Sequence, residues 1–290
     1  MNDYHNPALL KEVIKFLNVE KDSWYVDTTL GGGGHTEEIL KQGGKVLGID
    51  VDEESIEFVK AHLKDYVSEK RLFLCNRNFL DIEEVVKKFC PKDPSGILFD
   101  LGVSTHQLKT KERGFSFNSE SDLDMRMGKN LAVKAKDLIN GLSKRELEFI
   151  FLKYGEESYA KKIAQTIVSK RKVSEIKTGK ELAEIVEGVK GKENFGEHAA
   201  TKVFQALRIV INEELDNFEK ALPRAFRVLA PKGRILVISF HSLEDRIAKD
   251  FGKRTLGLRI ITKVPITASD LELSQNRQVR SAKMRVFEKV

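Results

Sequence analysis

Residues 23–50, SWYVDTTLGGGGHTEEILKQGGKVLGID, decide the fold. Ser23–Thr29 reads as a strand, Gly31–Gly34 as a tight turn, the residues from Thr36 as a short helix, and Lys45–Asp50 as a second strand. Strand–helix alternation with connections this short requires a parallel sheet covered on both faces. The same grammar extends outward. Upstream, Leu9, Leu10, Val13, Ile14 and Leu17 form a helical stripe behind Pro7. Downstream, Glu53–Leu63 is helical, Leu72–Cys75 a strand, Asp81–Phe89 a helix and Gly96–Asp100 an apolar strand. A doubly wound, Rossmann-like α/β fold follows.

The alternation stops after the fourth strand. A loop runs to about Gly128, followed by 3.6-period apolar stripes over Ser143–Tyr154, Glu156–Lys172, Thr178–Val189 and Ala200–Phe218. Strands return at Arg234–Phe240, Leu258–Lys263 and near Ala282–Glu288, with a helix from Ser242 between the first two. The expected organisation is a core of residues 1–105 and 209–290 with an inserted all-helical domain, 106–208, for substrate recognition. An insertion at that point overhangs the carboxyl ends of the strands, where this architecture binds ligands.

Composition narrows the function classes. A chain of 290 residues, 41% hydrophobic, can bury a substantial core. Six prolines and 20 glycines exclude a collagen-like or low-complexity chain. No apolar run approaches the ~18 residues of a membrane span, and the polar start (Asp3, His5, Lys11, Glu12) is unlike a signal peptide. Two cysteines, Cys75 and Cys90, fit a reducing cytoplasm and no disulfide scaffold. The net charge is +6, and residues 106–208 alone carry +6, while residues 1–105 carry −6 and 209–290 carry +6. A basic insert and tail suit a polyanionic partner, although many proteins of this charge bind none.

The glycine loop serves several cofactors in principle. No Gly-Lys-Ser/Thr follows it, which disfavours a nucleoside triphosphate. Glu37 and Glu38 occupy the first helical turn, where a pyrophosphate would need positive potential. Asp27, ending strand one, suits a cationic group of the ligand. Asp50 ends strand two, placed to accept hydrogen bonds from both ribose hydroxyls. Phe79, after strand three, either meets an adenine ring or packs in the core. Asp100 ends strand four at the same crevice. These residues favour a methyltransferase over a dehydrogenase.

Longer motifs then carry a resemblance. They are His5-Asn-Pro-Ala-Leu-Leu10, Thr29-Leu-Gly-Gly-Gly-Gly-His35, Gly48-Ile-Asp50, Asp100-Leu-Gly-Val-Ser104 and Glu112-Arg-Gly-Phe-Ser-Phe117. Asp122-Leu-Asp-Met-Arg-Met127, Phe204-Gln-Ala-Leu-Arg-Ile209, Asn212-Glu-Glu-Leu215, Ile238-Ser-Phe-His-Ser-Leu-Glu-Asp-Arg246 and Arg280-Ser-Ala-Lys283 follow. The chain resembles the bacterial ribosomal RNA small-subunit methyltransferase H family along nearly its whole length. That resemblance implies a class I fold and S-adenosylmethionine as methyl donor. It implies methylation of N4 of a cytidine in the decoding region of 16S rRNA, within the small ribosomal subunit. Carried over, the cofactor contacts fall on Gly33, Gly34, His35, Asp50, Phe79, Asp100 and Gln107. Ala8, Thr28, Ala199 and Lys202 depart from the family's usual valine, glycine, proline and arginine. Lys202 cannot bind a phosphate in the bidentate way an arginine would.

Cytosine N4 is a weak nucleophile, so the site must accept hydrogen bonds from it while the methyl group approaches in line. Asp100, Ser104 and Asp124 are the catalytic candidates, with an ion pair to Arg126 as the alternative role for Asp124. Arg113, Phe115, Arg126, Lys170, Arg171 and Lys172 are the RNA-binding candidates, joined by Lys161, Lys162 and the tail residues Arg277, Arg280, Lys283, Arg285 and Lys289. For these the alternatives are a self-packed loop and a solvated helix face. Ser242 and Asp245 read as a helix cap, with His241 facing the cleft or packed. No His/Cys/Asp cluster has metal-site spacing, neither a metal nor a membrane is expected, and a homodimer is left open. A methyltransferase acting on protein or a small molecule, and a non-enzymatic ribosome assembly factor, remain the competing readings.

Overall fold

The computed structural model describes residues 7–191, 193–194 and 197–290. His5 and Asn6 of the first motif lie outside them. By contacts the chain divides into two compact units: one reaches Ser104 and resumes at Leu215–Val290, the other is Thr105–Glu214.

The first unit opens with α1 (Leu10–Leu17), β1 (Trp24–Asp27), α2 (Gly34–Lys41), β2 (Lys45–Asp50) and α3 (Glu53–His62). α4 (Lys64–Ser68), β3 (Leu72–Asn76), α5 (Ile82–Phe89) and β4 (Gly96–Asp100) complete its first half. α1 starts later than its apolar stripe because Leu9 takes φ 53°, a left-handed conformation. The Leu9 N–H is satisfied by donating to the Glu272 carboxylate at 2.7 Å.

The second unit contains α6 (Thr105–Lys109), α7 (Ala135–Gly141), α8 (Lys144–Gly155), α9 (Ala160–Arg171) and α10 (Gly179–Lys190). Two short antiparallel strands, β5 (Glu193–Asn194) and β6 (Glu197–His198), precede α11 (Thr201–Asn212). Ser143 with Glu146, and Thr178 with Glu181, cap α8 and α10 reciprocally. Glu157, 1% exposed, is neutralised by Lys190 at 2.7 Å, as a buried charge must be.

The first unit resumes through α12 (Glu214–Val228), β7 (Arg234–Ser239), α13 (Ser242–Arg254), β8 (Leu258–Ile260), β9 (Ile266–Thr267), α14 (Asp270–Gln275) and β10 (Lys283–Lys289). The single helix expected over Ala200–Phe218 is two, because Glu213 adopts φ 50° and turns the chain between α11 and α12.

The sheet runs β3-β2-β1-β4-β7-β10-β8, with β9 also on β10. β3, β2, β1, β4 and β7 are parallel, and β10 runs antiparallel between β7 and β8. Alternate side chains feed two cores, as strand geometry requires. Trp24, Val26, Leu47, Ile97, Phe99 and Val237 pack against α5, α12 and α13. Tyr25, Val46, Leu98, Leu236 and Ile238 pack against α1, α2 and α3. Each fully buried aliphatic or phenyl side chain contributes roughly 1.5–3 kcal/mol, so the central strands are the rigid part of the unit. Cys75 departs from expectation: β3 is the sheet's edge, which leaves this cysteine half-buried.

Candidate active site

Three aspartates end three neighbouring parallel strands: Asp50 on β2, Asp27 on β1 and Asp100 on β4. Neighbouring strands lie ~4.8 Å apart, so register alone converges these carboxylates. The loop after β1 is threaded between them. Thr28 donates to the Leu98 carbonyl from both its N–H (3.0 Å) and its hydroxyl (2.7 Å). The Asp100 N–H donates to Thr29 Oγ1 at 2.7 Å, and the Leu30 N–H to the Ile49 carbonyl at 3.1 Å.

The glycines make room for the protein's own packing. A Cβ on Gly34 would stand 2.8 Å from the Pro7 ring, and one on Gly33 would stand 2.9 Å from Val59. Gly33 also has φ 75°, which a side chain tolerates poorly. Both are required by packing of the protein against itself.

Asp50 is held by two backbone amides, accepting from Gly31 N–H (2.8 Å) on one oxygen and from Asp52 N–H (2.9 Å) on the other. Each oxygen keeps a lone pair for a further donor. Burial pushes its carboxyl up to about 7, against the pull of those two amides. Asp27 accepts from the Thr36 hydroxyl at 2.8 Å and from Thr29 N–H at 3.3 Å, yet burial raises it to about 6. Asp100 is raised well above the carboxylate range, first by burial and then by the charges of Asp27 and Glu244. Its Oδ2 lies 3.7 Å from His35 Nδ1, while its Oδ1 is buried with no hydrogen-bond partner among the described residues.

An orphaned buried acceptor among desolvated carboxylates is unfavourable unless a ligand supplies what is lacking. The missing complement is positive charge and hydrogen-bond donors. S-adenosylmethionine carries a sulfonium, an ammonium and a ribose diol, so these residues fit it.

The remaining expected residues are placed as follows. Phe79 lies in a short turn after β3, half-buried, with its ring edge-on to Phe99 at 5.8 Å. Ser104 closes the first unit's loop after β4 and is partly exposed. Gln107 is buried on α6 in the second unit.

Several predicted contacts are corrected. Asp124 is engaged by Arg126 through two bonds of 2.7 and 2.8 Å, with Lys134 at 3.5 Å. That pairing holds the carboxyl below its usual range despite partial burial, which is the ion-pair role weighed for this residue. Arg113 is 8% exposed and donates to the Arg126 and Met127 carbonyls, and Phe115 is 6% exposed. These two build their loop and offer RNA no exposed face. Arg171 donates to the Ile139 and Leu142 carbonyls at the end of α7. Lys161, Lys162, Lys170 and Lys172 stay exposed. In the tail, Arg285 is paired with Asp245 at 2.6 and 3.0 Å, and Lys289 donates to carbonyls ending α12. The cap of α13 is also shifted by one residue. His241 is the N-cap, and the Glu244 carboxylate accepts from Phe240 N–H (2.8 Å) and His241 N–H (3.3 Å).

Sequence reasoning missed Glu244, which is 2% exposed. The available signal was an acid three residues after an extended polar residue that can act as acceptor.

A doubly wound sheet with an antiparallel β10 and an acid-lined site at its strand ends defines a class I S-adenosylmethionine-dependent methyltransferase. The chain belongs to the MraW methylase family, whose model matches residues 2–290. A ribosomal RNA small subunit methyltransferase H of Halothermothrix orenii is 42% identical over 309 residues, covering 99% of this chain and 98% of that protein. The enzyme of the same name from Brevibacillus brevis is 41% identical over 310 residues, covering 99% and 98%. A solved rRNA methylase of Streptococcus thermophilus is a remote likeness, 10% identical with a TM-score of 0.47, covering 96% of this chain and 95% of that one.

Proposed function

We propose that this methyltransferase acts in the cytoplasm on the small ribosomal subunit and methylates the exocyclic N4 of a cytidine in the decoding region of 16S rRNA. The observation that carries the reading is the orphaned Asp100 Oδ1, a buried acceptor at the end of β4. Such an acceptor can take a hydrogen bond from an amino group and draw its nitrogen towards pyramidal geometry. Bound cofactor supplies an electrophilic methyl group. In this reading Asp50 holds the ribose hydroxyls, Gly33, Gly34 and His35 line the cofactor, Phe79 borders the adenine, and Gln107 is a further contact. The helical unit, with exposed Lys161, Lys162, Lys170 and Lys172, supplies RNA affinity, and a target base in folded RNA must leave its stack.

The cysteines support N4 over ring carbon C5, whose methylation needs a thiolate added to C6. Burial raises both thiols, Cys90 to about 12. Cys90 also ends α5, at the edge of the sheet opposite the strand-end aspartates.

The test is transfer of labelled methyl groups to isolated small subunits, naked 16S rRNA, protein extract and metabolites, followed by mass spectrometry of digested RNA. N4-methylcytidine is the expected product, from the wild type and from a folded Cys75→Ser, Cys90→Ser double variant. A C5-methylated product, or label in protein or metabolites alone, would reject the assignment. Cofactor binding without turnover on any substrate would favour an assembly factor.

A further inference from the structure

The His35 side chain is arranged for more than lining a cofactor. Its ring is 4% exposed, and Nε2 lies 2.9 Å from the Ala8 carbonyl, which can only accept. Nε2 therefore carries a hydrogen, and the other ring nitrogen, Nδ1, lies 3.7 Å from Asp100 Oδ2. The groups facing Asp100 come from three elements: Asp27 at the end of β1, Glu244 on α13 and His35 on α2. Two are acids that oppose its ionisation, and the third is a base within ion-pair reach. On the other side of the carboxyl, Oδ1 is buried and unpartnered among the described residues.

Resting on the methyltransferase reading above, we propose that Asp100 and His35 form one proton-holding pair, ionised opposite the cationic methyl donor and protonated opposite its neutral thioether product. His35 is a positioning residue in this pair, fixing Asp100 and setting where the pair releases its proton.

The transfer balances. The nitrogen–carbon bond forms as the sulfur–carbon bond breaks, and sulfur keeps that electron pair. The N–H bond of the methylated amine then breaks, and its proton passes to Asp100 Oδ1. Charge stays matched throughout: a cation faces an anion before transfer, and two neutral groups face each other afterwards. A buried site demands this, because an unmatched charge there is strongly disfavoured.

Binding follows from the same linkage. Below the midpoint of the pair, the donor must expel the proton, whereas the product need not. Relative to the product, donor affinity should therefore tighten by up to about tenfold per pH unit with rising pH, over and above the pH dependence that Asp50 gives both ligands through the ribose they share.

The test needs no RNA. Calorimetric titration of the wild-type protein with S-adenosylmethionine, and separately with S-adenosylhomocysteine, in two buffers of different protonation enthalpy counts the protons released by each ligand. The expected result is that the donor releases about one proton more than the product. Infrared difference spectra should show a protonated-carboxyl band that donor binding removes and Asp100→Asn lacks. His35→Gln, which removes the basic nitrogen and so one of the pair's two proton sites, should lower the pH at which release occurs. Equal proton counts for the two ligands across pH would overturn the pair while leaving the methyltransferase reading intact. An unmoved profile in folded His35→Gln would overturn the role of His35. Failure of both ligands to bind would overturn the pair together with the reading beneath it.

Discussion

Asp50 shows what one side chain does in this site. Two backbone amides fix its orientation before any ligand arrives, so little ordering is left for binding. Asp50→Ala should weaken cofactor binding by about 1.5–3 kcal/mol, roughly 10- to 150-fold in Kd, and also lower the thermal transition, because the Gly31 and Asp52 N–H groups lose their acceptor. Calorimetry of the two proteins checks it, and an unchanged Kd would remove Asp50 from the site. A second consequence concerns pH. Asp50 and Asp27 rise from 3.8 in the unfolded chain to about 7 and about 6 when folded. The folded protein thus binds more protons across that window, and these two groups lose their stabilising contribution as pH rises through about 6–7. A bound cation opposes the loss. The melting temperature gained on adding S-adenosylmethionine should therefore grow between about pH 5 and 8. A gain independent of pH in differential scanning fluorimetry would contradict it.

At the scale of elements, α13 matters through its first turn. Glu244 satisfies the amides of Phe240 and His241 where β7 hands over to the helix. Asp245, the residue next to it, instead binds Arg285 of β10. Glu244→Ala leaves two N–H groups without that acceptor and should cost about 1–3 kcal/mol in urea unfolding, whereas Glu244→Gln should recover part of it. Equal losses in both variants would mean that charge, and not the cap, is what counts. The α11–α12 junction teaches a related lesson. The apolar stripe through Phe204, Leu207, Ile211, Leu215 and Phe218 continues across a real break at Glu213. Hydrophobic periodicity records which face is buried, and a single left-handed residue interrupts a helix without disturbing that record.

Over the whole molecule, charge is what pairing has left exposed. If RNA reads the helical unit, affinity should fall with salt at a slope of roughly −0.7 to −0.9 per phosphate contact. Charge reversal at Lys161, Lys162, Lys170 and Lys172 should flatten that slope in fluorescence anisotropy. Arg171→Ala should behave differently, lowering the melting temperature through α7 while leaving the slope alone. A salt-independent affinity, or an effect of Arg171 on the slope equal to that of the lysines, would refute this division.

The sequence by itself determined the doubly wound sheet, the glycine turn and the placing of Asp27, Asp50 and Asp100 at strand ends. These are local properties: strand period, turn chemistry and chain order put each carboxylate at the same edge once the strands are parallel. Only the tertiary structure decided which charged groups are already engaged. Arg113, Arg126, Arg171 and Arg285 read alike as basic residues, yet each is bound to a carbonyl or carboxylate of its own unit. It also decided that Gly33 and Gly34 make room for Val59 and Pro7, that β3 leaves Cys75 at an edge, and that His35 faces Asp100. Pairing and burial depend on partners distant in the chain, and periodicity, which sees only a few residues at a time, carries no record of them.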